Sequence, residues 1–95
     1  MPAGYQFVIY RRLEKDIAGF PRRTQVTIRD RIRGLREEPR PPDAVKLQGS
    51  RPGENYHRLR VGNYRIIYDI DDEAQVVRIV LVGHRRNIYE LLKRR

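Results

Sequence analysis

The chain has no cysteine, only two histidines, and far fewer acidic than basic side chains. Without cysteine there is no disulfide and no thiolate zinc site, and two histidines argue against a structural metal centre. No metal and no cofactor is expected. No apolar run approaches the length of a transmembrane helix, and no charged-then-apolar secretory signal opens the chain. Internal repeats and low-complexity stretches are also missing. The expectation is a soluble, cytoplasmic protein with no membrane partner, folded as a single domain over residues 1–95 with little stability to spare.

What is present is positive charge. The formal net charge is +9 in 95 residues, and most of the cations are arginines. A genome rich in arginine codons would explain Arg over Lys, but not the excess of cations over anions. The excess is spread over both halves of the chain, so the body is basic rather than carrying a basic tail. Such a field attracts polyanions and speeds their encounter. Nucleic acid, an anionic surface or an acidic protein are the candidate partners.

Residues 5–10, YQFVIY, are aromatic and β-branched and read as a strand. Leu13, Ile17 and Phe20 follow at helical spacing, giving a short helix over 11–19 that ends near Gly19. Pro21 suits a first helical position, and Ile28, Ile32 and Leu35 mark a second helix over about 21–37. Its other faces carry Arg22, Arg23, Arg29, Arg31, Arg33 and Arg36. PRPP at 39–42 cannot continue a helix, so a loop spans 39–54, long for a compact domain. YHRLRV (56–61) and YRIIYDI (64–70) read as a hairpin turning at Gly62-Asn63. Asp71-Asp72-Glu73 makes the next turn. VVRIVLVG (76–83) is the most apolar strand and is placed in the sheet interior. Ile88, Leu91 and Leu92 close the chain as a short helix. The order β-α-α-β-β-β-α predicts an α+β fold with a largely antiparallel, twisted sheet.

Side chains alternate across a strand. Arg58 and Arg60 therefore share a face, as do Arg65, Ile67 and Asp69. The Gly62-Asn63 turn folds Arg60 back toward Arg65, and His84 and Arg85 emerge from the end of the neighbouring strand. If the strands pair in sequence order, these side chains converge on one concave face. Guanidinium forks match phosphate and stay charged at every relevant pH. His84 and Tyr89 would add chemistry, because imidazole can move a proton near neutrality. RNA brings its own nucleophile, the 2′-OH, so cleavage needs no metal. It needs a group to deprotonate the 2′-OH, cations around the phosphorane, and a proton for the departing 5′ oxygen. Each of these residues also has a plainer reading: a histidine beside arginines is more often a hydrogen-bonding residue. His57 falls mainly under that reading, and Tyr5, Tyr10, Tyr56, Tyr64 and Tyr68 read as core or sheet residues.

RLRVGNYRIIYDIDDE (58–73), VVRIVLVGHRRNIYE (76–90) and the preceding KLQGSRPGENYHRLRV (46–61) together resemble the RelE/ParE superfamily of type II toxin–antitoxin toxins. The resemblance covers essentially the whole chain. It implies an α+β fold of the microbial-ribonuclease kind. RelE-type members enter the ribosomal A site and cut mRNA without metal. A cognate antitoxin wraps and silences the toxin, and the complex reaches operator DNA through the antitoxin. Carried over residue by residue, the family's strand arginine falls on Arg65, its second phosphate-binding arginine on Arg85, and its C-terminal tyrosine on Tyr89. Its basic residue at the start of the meander falls on Arg58. His84 sits where many relatives carry His or Lys. The expected catalytic set is Arg65, His84, Arg85 and Tyr89, with Arg58, Arg60 and Lys46 binding phosphate.

One departure matters. Well-studied RelE toxins carry lysines around the equivalents of 56–58 and use one as general base, whereas this chain has Tyr56-His57-Arg58. Arg58 stays protonated and cannot take a proton, which moves the base role to His84, with His57 behind it. ParE-type members share the fold, poison DNA gyrase and generally lack the ribonuclease residues. A gyrase inhibitor and a non-catalytic RNA- or protein-binding module therefore stand as the alternatives to the mRNA endonuclease.

Overall fold

A computed structural model describes residues 4–47 and 55–94. The elements are β1 (Gln6–Ile9), α1 (Arg11–Ala18), α2 (Arg22–Gly34), β2 (Val45–Lys46), β3 (Tyr56–Val61), β4 (Tyr64–Asp71), β5 (Val76–His84) and α3 (Ile88–Lys93). They form one five-stranded sheet in the order β1-β5-β4-β3-β2. β1 runs parallel to β5, and every other pairing is antiparallel. β5 is interior as expected, between β1 and β4, although β4 holds the middle place.

The long loop needs a correction. Val45 and Lys46 pair with Arg58 and His57 and add an edge strand. Two residues carry no readable periodicity, so only the partner strand reveals them. Residues 48–54 of that loop lie outside the described part. The start of the loop is tied down: Tyr68 donates a 2.8 Å hydrogen bond to the Pro39 carbonyl. Asp72 takes two hydrogen bonds from Arg40, at 2.8 and 3.2 Å, and one from the Tyr5 hydroxyl at 2.8 Å. Those donors hold the Asp72 carboxyl below its ordinary pKa, Arg40 first and Tyr5 second.

The helices cover one face of the sheet. Leu13 and Ile17 of α1 lie one turn apart and are fully buried, as are Ile28, Ile32 and Leu35 along α2 and just past it. They pack on Leu59, Val61, Ile66, Tyr68, Val77, Ile79 and Val82. Burying side chains of this size is worth about 1.5–3 kcal/mol each relative to exposure. Pro21 stands just before α2 rather than inside it. Phe20, after α1, is half-buried and packs against Tyr64. α3 covers the other face, where Ile88 joins Tyr56, Ile67, Val80 and Leu81.

Strict alternation breaks once. Ile67 pairs with Leu81 but Tyr68 pairs with Ile79, so Val80 is the extra residue of a bulge in β5. Val80 and Leu81 both pack on the α3 face. Beyond them the parity of β5 is reversed: Val82 joins the helix face, and Gly83 faces α3, its missing Cβ 3.4 Å from Ile88 Cδ1.

Candidate nucleic-acid interface

The β3–β4 turn organises the site. Gly62 has φ +58° and is the turn's only residue at positive φ, the II′ pattern that lets two strands close on two residues. Arg60 and Arg65 are direct cross-strand partners and share the α3 face, as the sequence predicts. Arg58, two residues earlier, lies on that face as well. Its Nη1 donates to the Tyr89 hydroxyl at 3.3 Å. Its Nε is shut off from solvent and has no hydrogen-bond partner among the described residues. Arg58, Arg60, Arg65 and Tyr89 thus stand together, and none of the three guanidiniums has an ion pair among the described residues.

Arg65 is not a free surface cation. It is only 8% exposed, and Nη1 donates to the Gly62 and Tyr64 carbonyls, both at 2.9 Å. The guanidinium grips the turn of its own hairpin and is fixed in position, with Nε and Nη2 left for other acceptors. Arg85 is exposed on the turn after β5, and its backbone N–H donates to the Asn63 carbonyl at 2.7 Å. One turn therefore holds both arginines of the expected clamp.

His84 requires a correction. It is the cross-strand partner of Tyr64, whereas Gly83 is the partner of Arg65. Its ring meets the Tyr64 ring edge-on at 5.4 Å, on the helix face and away from Arg58, Arg60 and Arg65. The Val80 bulge is the cause, because unbroken alternation from Val77 would have turned residue 84 toward α3. His84 Nδ1 also accepts a 3.2 Å hydrogen bond from the Arg86 N–H. That bond assigns the neutral ring's proton to Nε2, so the ring offers the solvent side a donor and not a lone pair. The expected convergence of the imidazole with the arginines does not occur.

Lys46 also departs from the expected cluster. Its partner is His57, while Val45 pairs with Arg58, which puts Lys46 on the helix side of the sheet edge. His57 is buried and stacks on Tyr68 with ring centroids 5.4 Å apart. Burial pushes its pKa down, and the charges of Arg40 and Lys46 push the same way. It is a packed core histidine, and not the surface or hydrogen-bonding residue expected: among the described residues its Nδ1 has no hydrogen-bond partner. Arg78, which the sequence did not single out, faces α3 but is occupied by Asp69 at 2.9 Å. Counting alternation would have found that pair, since both residues fall on one face of adjacent strands.

A family described as the ParE toxin of type II toxin–antitoxin systems, parDE, matches residues 8–89. The chain belongs to this family. Toxin RelE3 of Methanocaldococcus jannaschii is 42% identical over 48 residues, a match that spans 50% of this chain and 49% of that relative. The toxin's fold is also that of RelE structures. The RelE–RelB complex of Pyrococcus horikoshii OT3 superposes with a TM-score of 0.76 at 26% identity, covering 87% of this chain and 97% of that one. The toxin–antitoxin complex RelBE2 of Mycobacterium tuberculosis gives 0.71 at 26% identity, covering 86% and 99%. The RelE/ParE resemblance and the α+β architecture both hold. Among the described residues no helix is long and apolar enough to cross a membrane.

Proposed function

We propose that this toxin is a ribosome-dependent mRNA endonuclease that needs no metal and is silenced by a cognate antitoxin. The observation that carries the reading is the α3 face of the sheet, where Arg58, Arg60 and Arg65 gather beside the Tyr89 hydroxyl with no ion pair among the described residues. Like charges gathered this way repel, and an RNA phosphate between them relieves the cost.

In the proposed step the 2′-oxygen attacks the adjacent phosphorus and the bond to the 5′ oxygen breaks. The proton leaves the 2′-OH and one arrives on the departing oxygen, leaving a 2′,3′-cyclic phosphate and a 5′-hydroxyl end. Arg65 is preorganised by the turn carbonyls, so holding the phosphorane costs it no reorganisation. Tyr89 accepts from Arg58, which leaves its own hydrogen to donate to a phosphate or leaving oxygen. Arg85 joins from the turn after β5. Among the described residues the groups gathered on this face contribute charge stabilisation and orientation. Of the similar structures, one is a toxin–antitoxin complex by name and another a RelE–RelB complex, which supports an antitoxin partner here. An acidic segment that folds across the arginine face would inhibit directly.

The test is mapping of new RNA 5′ ends minutes after induction in a bacterial host, with Tyr89→Phe and Arg58→Met beside the parent. New ends inside translated codons, lost in the variants, are expected. Growth arrest with intact messages overturns the reading. The matched family is that of ParE toxins and the imidazole lies off the arginine face, so a gyrase-directed toxin is the second reading. Stalled supercoiling would identify it.

A further inference from the structure

The turn that carries the arginine face has a second side. A cleft of about 290 Å³ opens between α2 and the β3–β4 turn, lined by Arg23, Thr24, Thr27, Gly62, Asn63 and Tyr64. It lies on the helix face of the sheet, across the turn from Arg60 and Arg65. Among the described residues the Arg23 guanidinium has no ion pair, unlike Arg29, Arg31 and Arg33 further along α2. Thr27 gives its hydrogen to the Arg23 carbonyl at 3.1 Å, so its oxygen is left as an acceptor. Beside the cleft runs a row of rings: Phe20 against Tyr64 at 4.6 Å, and Tyr64 against His84 at 5.4 Å. All three rings are partly exposed.

We infer that this cleft is a second RNA subsite, which takes a nucleotide flanking the one on the arginine face, with Arg23 on its phosphate and the Tyr64–His84 rings against its base. The inference rests on the endonuclease reading and extends it. Three features favour RNA over an acidic polypeptide. The cation stands beside partly exposed rings, and cations with aromatic rings are the combination by which single strands are held through backbone charge and base stacking. Polar groups of both kinds, the Asn63 amide and the threonine hydroxyls, suit a base edge or a ribose better than a run of carboxylates. The third is continuity: Gly62 and Asn63 line the cleft while their carbonyls fix Arg65 and Arg85. A strand crossing the turn would touch both sides. His84 thereby gains a role as a stacking and Nε2–H donor group, consistent with its bound Nδ1.

The test uses the full chain, a 2′-O-methyl hexanucleotide that cannot be cleaved, and amide chemical shifts. Shifts at Thr24, Thr27 and Asn63 together with Arg60 and Arg65 are expected. Arg23→Ala should lower the salt slope of binding by about 0.7, the share of one phosphate on a single strand. His84→Ala should weaken the hexanucleotide but not a dinucleotide. Shifts confined to the arginine face, or an unchanged salt slope in Arg23→Ala, overturn the second subsite and leave the first intact. A cleft that responds to poly-aspartate and not to RNA overturns it in favour of a protein partner. An absence of shifts on either side overturns the second subsite as a site of the free toxin, and the 5′-end mapping then decides the endonuclease reading separately.

Discussion

Arg58→Met should make the protein more stable and less toxic at once. The Arg58 Nε is shut off from solvent and bonded to nothing among the described residues. A buried donor left unpaired costs about 1–3 kcal/mol, and more where the group is charged. Methionine is unbranched and follows the apolar stem of arginine, so the space between β2 and α3 stays filled. The substitution also removes the bond from Arg58 Nη1 to Tyr89, but at 3.3 Å and with both groups near solvent that bond is worth about 0.5–1 kcal/mol. The balance favours the variant by roughly 1 kcal/mol, a rise in Tm of about 4–8 °C for a domain of this size. Function should move the other way. Loss of one preorganised donor at a developing phosphorane costs about 10²–10³ in rate. Thermal melts followed by circular dichroism, beside growth after induction, read both quantities. A Tm lowered by several degrees would refute the unpaired-donor reasoning. Full growth arrest from the variant would remove Arg58 from the site.

Other substitutions separate structure from chemistry. Arg65→Ala should lose about 2 kcal/mol or more in denaturant titration, because the Gly62 and Tyr64 carbonyls lose a buried charged donor; loss of toxicity in that variant therefore needs a stability control, and an unchanged midpoint would mean that Arg65 does not hold the turn. Tyr89→Phe, which keeps the ring and removes an exposed hydroxyl, should cost no more than the about 0.5–1 kcal/mol of its bond from Arg58 while slowing cleavage; equal rates would exclude the hydroxyl from the step. Protonating His57 opposes burial and the neighbouring Arg40 and Lys46, so its folded pKa lies below its unfolded one. The stability it contributes is whole above the unfolded value near 6.5 and is lost as the pH falls from there through the folded pKa. Urea midpoints from pH 7.5 to 4.5 should fall less in His57→Gln than in the parent, and parallel curves would refute the assignment. His84→Ala should retain most message cleavage, measured by the same 5′-end mapping, whereas complete loss would restore it to the chemistry.

Much of the fold was legible because the apolar periods are clean. Leu13 and Ile17, or Ile28, Ile32 and Leu35, leave one face each, and the β3–β5 strands alternate as amphipathic or buried strands do. β2 was not legible, since two residues in a loop become a strand only when Arg58 and His57 supply the partner edge. The bulge was hidden for a different reason. Val80 stands inside an unbroken aliphatic run, so nothing in the side chains marks which residue is the extra one, yet it decides the face of every residue after it. That is why Arg58, Arg60 and Arg65 could be grouped by counting along strands before the bulge while His84, beyond it, could not. The burial of Arg65 escaped as well. Composition treats an arginine as a surface cation, whereas two main-chain carbonyls in one turn made room for this one.

Those carbonyls carry a consequence for how the site tolerates mutation. The partners of Arg65 and of the Arg85 backbone are the oxygens of Gly62, Tyr64 and Asn63, atoms that every amino acid possesses. The placement of the clamp is therefore written in the shape of the turn and not in the identity of the residues that touch it. Asn63 is free to drift across a lineage without moving either arginine. Gly62 is not, because its φ of +58° is unfavourable to side chains. In a saturation library scored by folded yield, the turn should show one intolerant position beside a permissive one.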